Sequence, residues 1–113
     1  MSVEKRIDYI EIPVTDPAKA RQFFFELYGW TFREWGDDYI SFSDGRLRGG
    51  FRREETPAAG ILIVFFSENL ERDIDRVKKL GATITKDAFD FPGGRRFHFV
   101  DPAGTEYAIW SAS

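Results

Sequence analysis

The sequence predicts an α+β fold: two tandem βαβββ modules forming a curved, mostly antiparallel eight-stranded sheet around a cleft, with the helices outside. Three observations predict it. The order of strand, helix and three strands occurs twice along 113 residues. A shift of 52 residues lays Asp16 on Glu68, Gly29 on Gly81 and Phe32 on Ile84, the mark of an internal repeat. One such module has too small a core to stand alone, so the halves are expected to pack side by side. The expected organisation is a single domain over residues 1–113, with module one at about 6–52, a linker at 53–59 and module two at about 60–111.

Each element has its local reason. "RIDYIEIPV" (6–14) loosely alternates Ile7, Ile10 and Ile12 with polar residues and is rich in β-branched side chains, so it reads as a strand. "TDPAKARQFFFELYG" opens a helix. Thr15 or Asp16 can accept from the free amides of its first turn, Pro17 fits the first helical position, and Gly29 supplies a left-handed end. Ala20, Phe23, Phe24, Leu27 and Tyr28 recur at helical spacing and predict one buried stripe. "WTFREW", "DYISFSD" and "LRGGFR", separated by Gly-Asp and Asp-Gly pairs, read as a meander; "REETPAA" (53–59) is polar and carries Pro57. Then "GILIVFF" is an apolar strand. "SENLERDIDRVKKLG" is a helix with Ser67 or Asn69 as its N-cap, Leu70, Ile74 and Val77 on its buried face and Gly81 at its end. "ATITKDAFDF", "GRRFHFV" and "TEYAIWS" supply three more strands, joined by "PGG" and "DPAG" turns.

Composition removes several function classes. There is no cysteine, which excludes disulfides, thiolate nucleophiles and thiolate-bound zinc; the single histidine, His98, excludes sites built on several imidazoles. A net charge of −3 argues against a phosphate-backbone binder, so no nucleic acid is expected. No apolar run approaches the roughly 20 residues that span a bilayer, so no membrane partner is expected either. "MSVEKRIDYI" has no apolar segment of the secretory kind, and a cytoplasmic location is expected. The basic stretch "RLRGGFRR" (46–53) reads as a strand edge guarded by charge rather than an anion site.

The repeat, with "PVTDPAKARQFFFELYGW" in one half and "FVDPAGTEYAIW" in the other, resembles the vicinal oxygen chelate superfamily, which includes glyoxalase I, bleomycin- and fosfomycin-resistance proteins and extradiol dioxygenases. The resemblance covers essentially the whole chain. It implies a homodimer, and metal ligands projected into the cleft from the first strand of each half and from the last strands. Carried onto this chain, those positions are Tyr9, Leu62 (or Ile61) and Ala108, with Gly49, Gly50 and Phe51 at the end of the first half. None is a good divalent-metal ligand, and a lone phenolate is not a site. The expectation is therefore no metal and no cofactor, and not a metal-dependent glyoxalase or dioxygenase.

Strand alternation places Tyr9, Glu11 and Pro13 on one face, Leu62 and Val64 on the matching face, and Glu106, Ala108 and Trp110 beside Arg96 and His98. Phe97 and Phe99 turn to the helix side. Trp35, Tyr39 and Ser41 of the first meander are candidates to close one side of the cleft. Three readings compete for Glu11 and His98: partly buried groups pairing with Arg96 or each other, anchors for a small polar or aromatic ligand stacked on Trp110 or Tyr9, or an acid-base pair of an isomerase, epimerase or lyase without metal. The leading expectation is a small organic ligand held by Tyr9, Leu62, Arg96, Glu106, Ala108 and Trp110. Glu11 and His98 are the catalytic candidates of the enzyme alternative, and a non-catalytic dimeric scaffold is the third.

Overall fold

The structure is a computed structural model that describes residues 2–55 and 60–113. Eight strands and two helices follow in the order βαβββ-βαβββ, the α+β class read from the sequence. They are β1 (Ile7–Val14), α1 (Pro17–Tyr28), β2 (Thr31–Glu34), β3 (Tyr39–Ser43), β4 (Arg48–Arg53), β5 (Leu62–Phe66), α2 (Leu70–Lys79), β6 (Thr83–Phe91), β7 (Gly94–Val100) and β8 (Glu106–Ser111). Arg53, taken as the first linker residue, still belongs to β4; residues 56–59 of the expected linker lie outside the described residues. Among the described residues no helix is long and apolar enough to cross a membrane. The chain divides into two compact units, Tyr9–Ile61 and Met1–Asp8 with Leu62–Ser113.

In the Tyr9–Ile61 unit the strand order is β2-β3-β4-β1, with β1 parallel to β4 and the other pairs antiparallel. Asp16 caps α1 by accepting from the amides of Ala18 and Lys19, and Gly29 ends it at φ 68°, a left-handed conformation that glycine adopts without strain. The core is a pile of rings. Phe24 stacks on Trp30 at 4.5 Å and on Phe51 at 5.8 Å, and Trp30 in turn stacks on Phe42 at 5.0 Å. Gly49 makes the pile possible, because a Cβ there would meet the ring of Phe42 and the carbonyl of Ile10. The expected five-residue apolar stripe of α1 is narrower than its spacing suggests. Only Ala20 and Phe24 are partly buried behind Pro17, whereas Phe23, Leu27 and Tyr28 are 59, 51 and 67% exposed. Spacing fixes which side chains share a flank of a helix; the line along which the helix meets the sheet decides which of them lose water.

In the other unit the order is β5-β8-β7-β6, with β5 parallel to β8 and the rest antiparallel. Asn69 caps α2, accepting from the amide of Arg72. The repeat register therefore slips by one at this point, since the sequence laid Asp16 on Glu68. Leu70, Phe97, Phe99 and Ile109 form the buried core, flanked by Phe65, Ile74, Val77 and Tyr107. The α2 face thus uses Leu70, Ile74 and Val77 as its i, i+4, i+7 contact line. Acidic Glu71 and Asp73 in its first turn and basic Arg76, Lys78 and Lys79 in its last suit the helix dipole.

Candidate functional site

Each unit turns one sheet face to its helix, and alternation puts the chemically interesting side chains on the other. In the Tyr9–Ile61 unit the register aligns Glu11 with Gly50 and Gly50 with Ser41, while Tyr9 sits opposite Arg48. Glu11 is buried. Arg52 Nη1 donates to its Oε1 at 2.8 Å, and the Tyr39 hydroxyl donates to its Oε2 at 3.0 Å. Tyr9 and Tyr39 share a hydroxyl hydrogen bond of 2.6 Å; because Tyr39 spends its proton on Glu11, Tyr9 is the donor. The phenol of Tyr39 is pushed far above its ordinary 10.0 by burial first, and then by the charge of Glu11 and by Tyr9. Its neighbour Glu54 takes a second bond from Arg52 at 2.9 Å.

The face that Tyr39 occupies, its bridge between Tyr9 and Glu11, and the bond from Arg52 to Glu11 are not readable from the sequence. Their mark in the structure is Gly50. A Cβ there would overlap the Tyr39 hydroxyl and ring, so the missing side chain is the space in which the phenol lies. Gly50→Ala is expected to expel Tyr39 from Glu11 and to cost roughly 1–3 kcal/mol in urea unfolding. A variant as stable as the parent with the same tyrosine titration would contradict this. Trp35 and Ser41 form a separate pair, the indole donating to the hydroxyl at 3.0 Å, with Arg33 over the Trp35 ring at 4.0 Å.

In the second unit Phe97 and Phe99 go to the α2 core as expected, and Arg96 and His98 lie on the opposite face. Across the sheet His98 pairs with Ala108 on one side and Lys86 on the other, while Arg96 pairs with Trp110 and Phe89. Val64 continues the Ala108 row and Phe66 the Trp110 row. Leu62, at the start of β5, is buried; Ile61 before it is exposed. Trp110 donates its indole N–H to Asp8 at 2.8 Å, and Phe66 and Phe91 stand around it at 5.0 and 6.0 Å. Arg96 lies over the Phe89 and Phe91 rings at 5.5 and 5.8 Å.

His98 is buried, and among the described residues neither ring nitrogen has a hydrogen-bond partner. Glu106, a diagonal neighbour across β7 and β8, brings Oε2 to 3.4 Å from Nδ1 without hydrogen-bond alignment, and holds that oxygen on Thr85 at 3.0 Å. Burial, then the charges of Arg96 and Lys86, keep the imidazole below its ordinary 6.5; Glu106 opposes them by less. The ring is therefore neutral near pH 7. With Nδ1–H toward Glu106, the lone pair falls on the buried Nε2, the arrangement of a base waiting for a proton donor. Glu11, by contrast, has both oxygens committed to Arg52 and Tyr39 and is a poor base.

A lowered histidine pKa makes stability depend on pH with a definite sign. Below about 6.5 the unfolded chain takes up a proton that the folded chain resists, so stability falls as pH drops from there toward the folded value. The carboxyls of Glu4 and Glu71, held below 4.5 by their bonds to the Glu68 amide and Arg72 and to Arg95, lose their contribution in a separate, more acidic range. Chemical unfolding between pH 7.5 and 5 should show the parent weakening and His98→Gln remaining flat. Parallel curves for the two would remove His98 as the cause.

A metal fits poorly. Leu62 and Ala108 offer only carbon at two of the positions where the resemblance implies ligands, and among the described residues no three of His, Cys, Asp and Glu gather closely enough to hold an ion. Ala108 is wholly buried.

A profile of the Glyoxalase/Bleomycin resistance protein/Dioxygenase superfamily matches residues 6–109. A search of curated proteins finds no match. Among solved structures the chain is similar to a glyoxalase/bleomycin resistance protein/dioxygenase superfamily member from Vibrio splendidus 12B01, at 15% identity and TM-score 0.73 over 94% of this chain and 97% of that one. It is also similar to methylmalonyl-CoA epimerase from Mycobacterium tuberculosis, at 13% identity and TM-score 0.73 over 100% and 91%. A third is the Mn(II)-bound glyoxalase from Novosphingobium aromaticivorans, at 17% identity and TM-score 0.73 over 99% of this chain and 40% of that one. At these identities the likeness is one of fold.

Proposed function

From the premise that this chain belongs to the glyoxalase/bleomycin resistance protein/dioxygenase superfamily, we propose that it binds a small organic molecule without a metal centre. The observation that carries the reading is His98: a buried neutral imidazole with an unpartnered Nε2, next to the donorless Ala108. Leaving such a group unsatisfied costs about 1–3 kcal/mol, a cost that a ligand's donor hydrogen would remove. Around it Arg96, Trp110, Phe89 and Phe91 offer a cation and aromatic faces to a small planar or polar group. Tyr9, Leu62 and Glu106 remain ligand-contact candidates, and Glu11 serves to hold Tyr39 and Arg52. The protein acts as a homodimer in the cytoplasm under this reading.

A second reading is favoured by one specific contact. The 3.4 Å approach of Glu106 to Nδ1 would orient His98 as a general base for metal-independent proton transfer, with Glu106 taking the partner role first assigned to Glu11.

The test is a fragment screen by two-dimensional NMR on the metal-stripped protein, repeated with Mn²⁺, Ni²⁺ and Zn²⁺. Binders are expected to shift His98, Arg96 and the Trp110 indole, and the metals to leave the melting temperature unchanged. Stoichiometric stabilisation by one of the ions would overturn the metal-free reading. Binders that shift only residues elsewhere would overturn the placement at His98.

A further inference from the structure

We propose that the His98 face takes a small planar carboxylate that also bears a hydroxyl, its carboxylate on Lys86 and its hydroxyl donating to the imidazole. The inference rests on the small-molecule reading above and names the class of molecule. What carries it is the course of β6. Phe99 pairs with Ile84 and His98 with Lys86, so one step along β7 is answered by two along β6. From His98 to Arg96 is two steps, answered by three from Lys86 to Phe89. Each mismatch is a bulge, an extra residue that re-aims the side chains beyond it.

Unbroken alternation from Ile84 would give His98 the partner Thr85 and give Arg96 the partner Asp87. The bulges substitute Lys86 and Phe89, and set Asp87 and Ala88 together against Phe97. A ready carboxylate is thus moved out of the row, and an ammonium and a ring are moved in. Thr85 stays on the same face, where its hydroxyl donates to Glu106 at 3.0 Å. Lys86 is exposed, and among the described residues its ammonium has neither an ion pair nor a hydrogen bond. Directly opposed residues of an antiparallel pair stand with Cβ atoms about 5 Å apart, so one small ring can present a carboxylate to Lys86 and a hydroxyl to His98. Glu106 holds the Nδ1 side of the imidazole, which leaves the buried Nε2 as the acceptor for that hydroxyl. Phe89 lies 5.8 Å from the imidazole and is 36% exposed, a face for the body of the ligand. One uncommitted ammonium, with the acidic Glu106 close by, suits a monoanion rather than a phosphate dianion.

Titrations of the full chain, followed by the NMR signals of His98 and Lys86, test this with the three isomeric hydroxybenzoates against phenol and benzoate, which each carry one of the two groups. The best-fitting isomer should bind about tenfold or more tighter than either. Lys86→Gln, a change at an exposed position, should reduce its affinity to that of phenol and leave phenol itself unchanged. His98→Phe should reduce it to that of benzoate. Hydroxybenzoates that bind no tighter than phenol, or that bind Lys86→Gln as well as the parent, would overturn the carboxylate class while phenol binding at His98 would leave the small-molecule reading standing. If none of the compounds moves His98, the class is overturned, and the wider reading is decided separately by the fragment screen.

Discussion

Phe97→Ala is expected to be the most damaging single substitution in the chain, costing about 3–5 kcal/mol. The ring has no exposed surface and lies between Leu70 of α2 and Phe99 and Ile109 of the sheet, with Phe99 at 5.8 Å. Truncation removes the transfer free energy of the ring and leaves a cavity that the α2 contact line cannot close without shifting the helix. Domains of this size are stabilised by about 5–15 kcal/mol in all, so roughly a fifth or more of that would go. The melting temperature should fall by roughly 15–20 °C. Phe97→Leu, which keeps most of the volume, should cost about 1 kcal/mol. If the alanine variant lost less than that, Phe97 would not be the keystone of this core.

Glu11→Ala is expected to follow at about 3 kcal/mol. The carboxylate is buried while Arg52 is 27% exposed, so removal strands the guanidinium in a half-buried place and leaves the Tyr39 hydroxyl without its acceptor. Water can reach part of Arg52, and Glu54 still holds its Nε, which keeps the cost at the lower end of what a broken buried pair brings. Glu11→Gln preserves an acceptor for Tyr39 and should cost less. A second readout separates the two: with the charge of Glu11 gone, Tyr39 should ionise at lower pH than in the parent, though burial still holds it above 10.0. In the parent the same raised phenol makes stability decline as pH rises past 10.0, because the unfolded chain gives up its proton first. An alanine variant as stable as the parent, with an unmoved tyrosine titration, would dismiss the network.

What the sequence discloses here is what local chemistry dictates. Asp16, Pro17 and Gly29 are readable as a helix start and stop because capping depends on three or four consecutive residues. Strand faces are readable too, since alternation is a property of the strand alone: Phe97 and Phe99 against Arg96 and His98 needed no partner strand. Pairings between strands are different. The approach of Glu106 to His98 depends on β8 setting Ala108, and not its neighbour, opposite His98; the union of Glu11, Tyr39 and Arg52 depends on β1, β4 and β3 meeting in one register. Such registers are set by the whole sheet, so neither the approach of Glu106 to the imidazole nor the bond between Glu11 and Tyr39 is legible in a single strand. The apolar run of α1 fails for a related reason. Phe23 and Leu27 have the spacing of a core stripe, and only the seating of the helix on the sheet reveals that they face water.

The phenol of Tyr39 lying where Gly50 has no side chain also constrains descent. A lineage that acquires any side chain at position 50 must give up the ring at position 39, and one that loses the ring is released from glycine at 50. The two positions should therefore change in step among relatives, the ring departing before the glycine does.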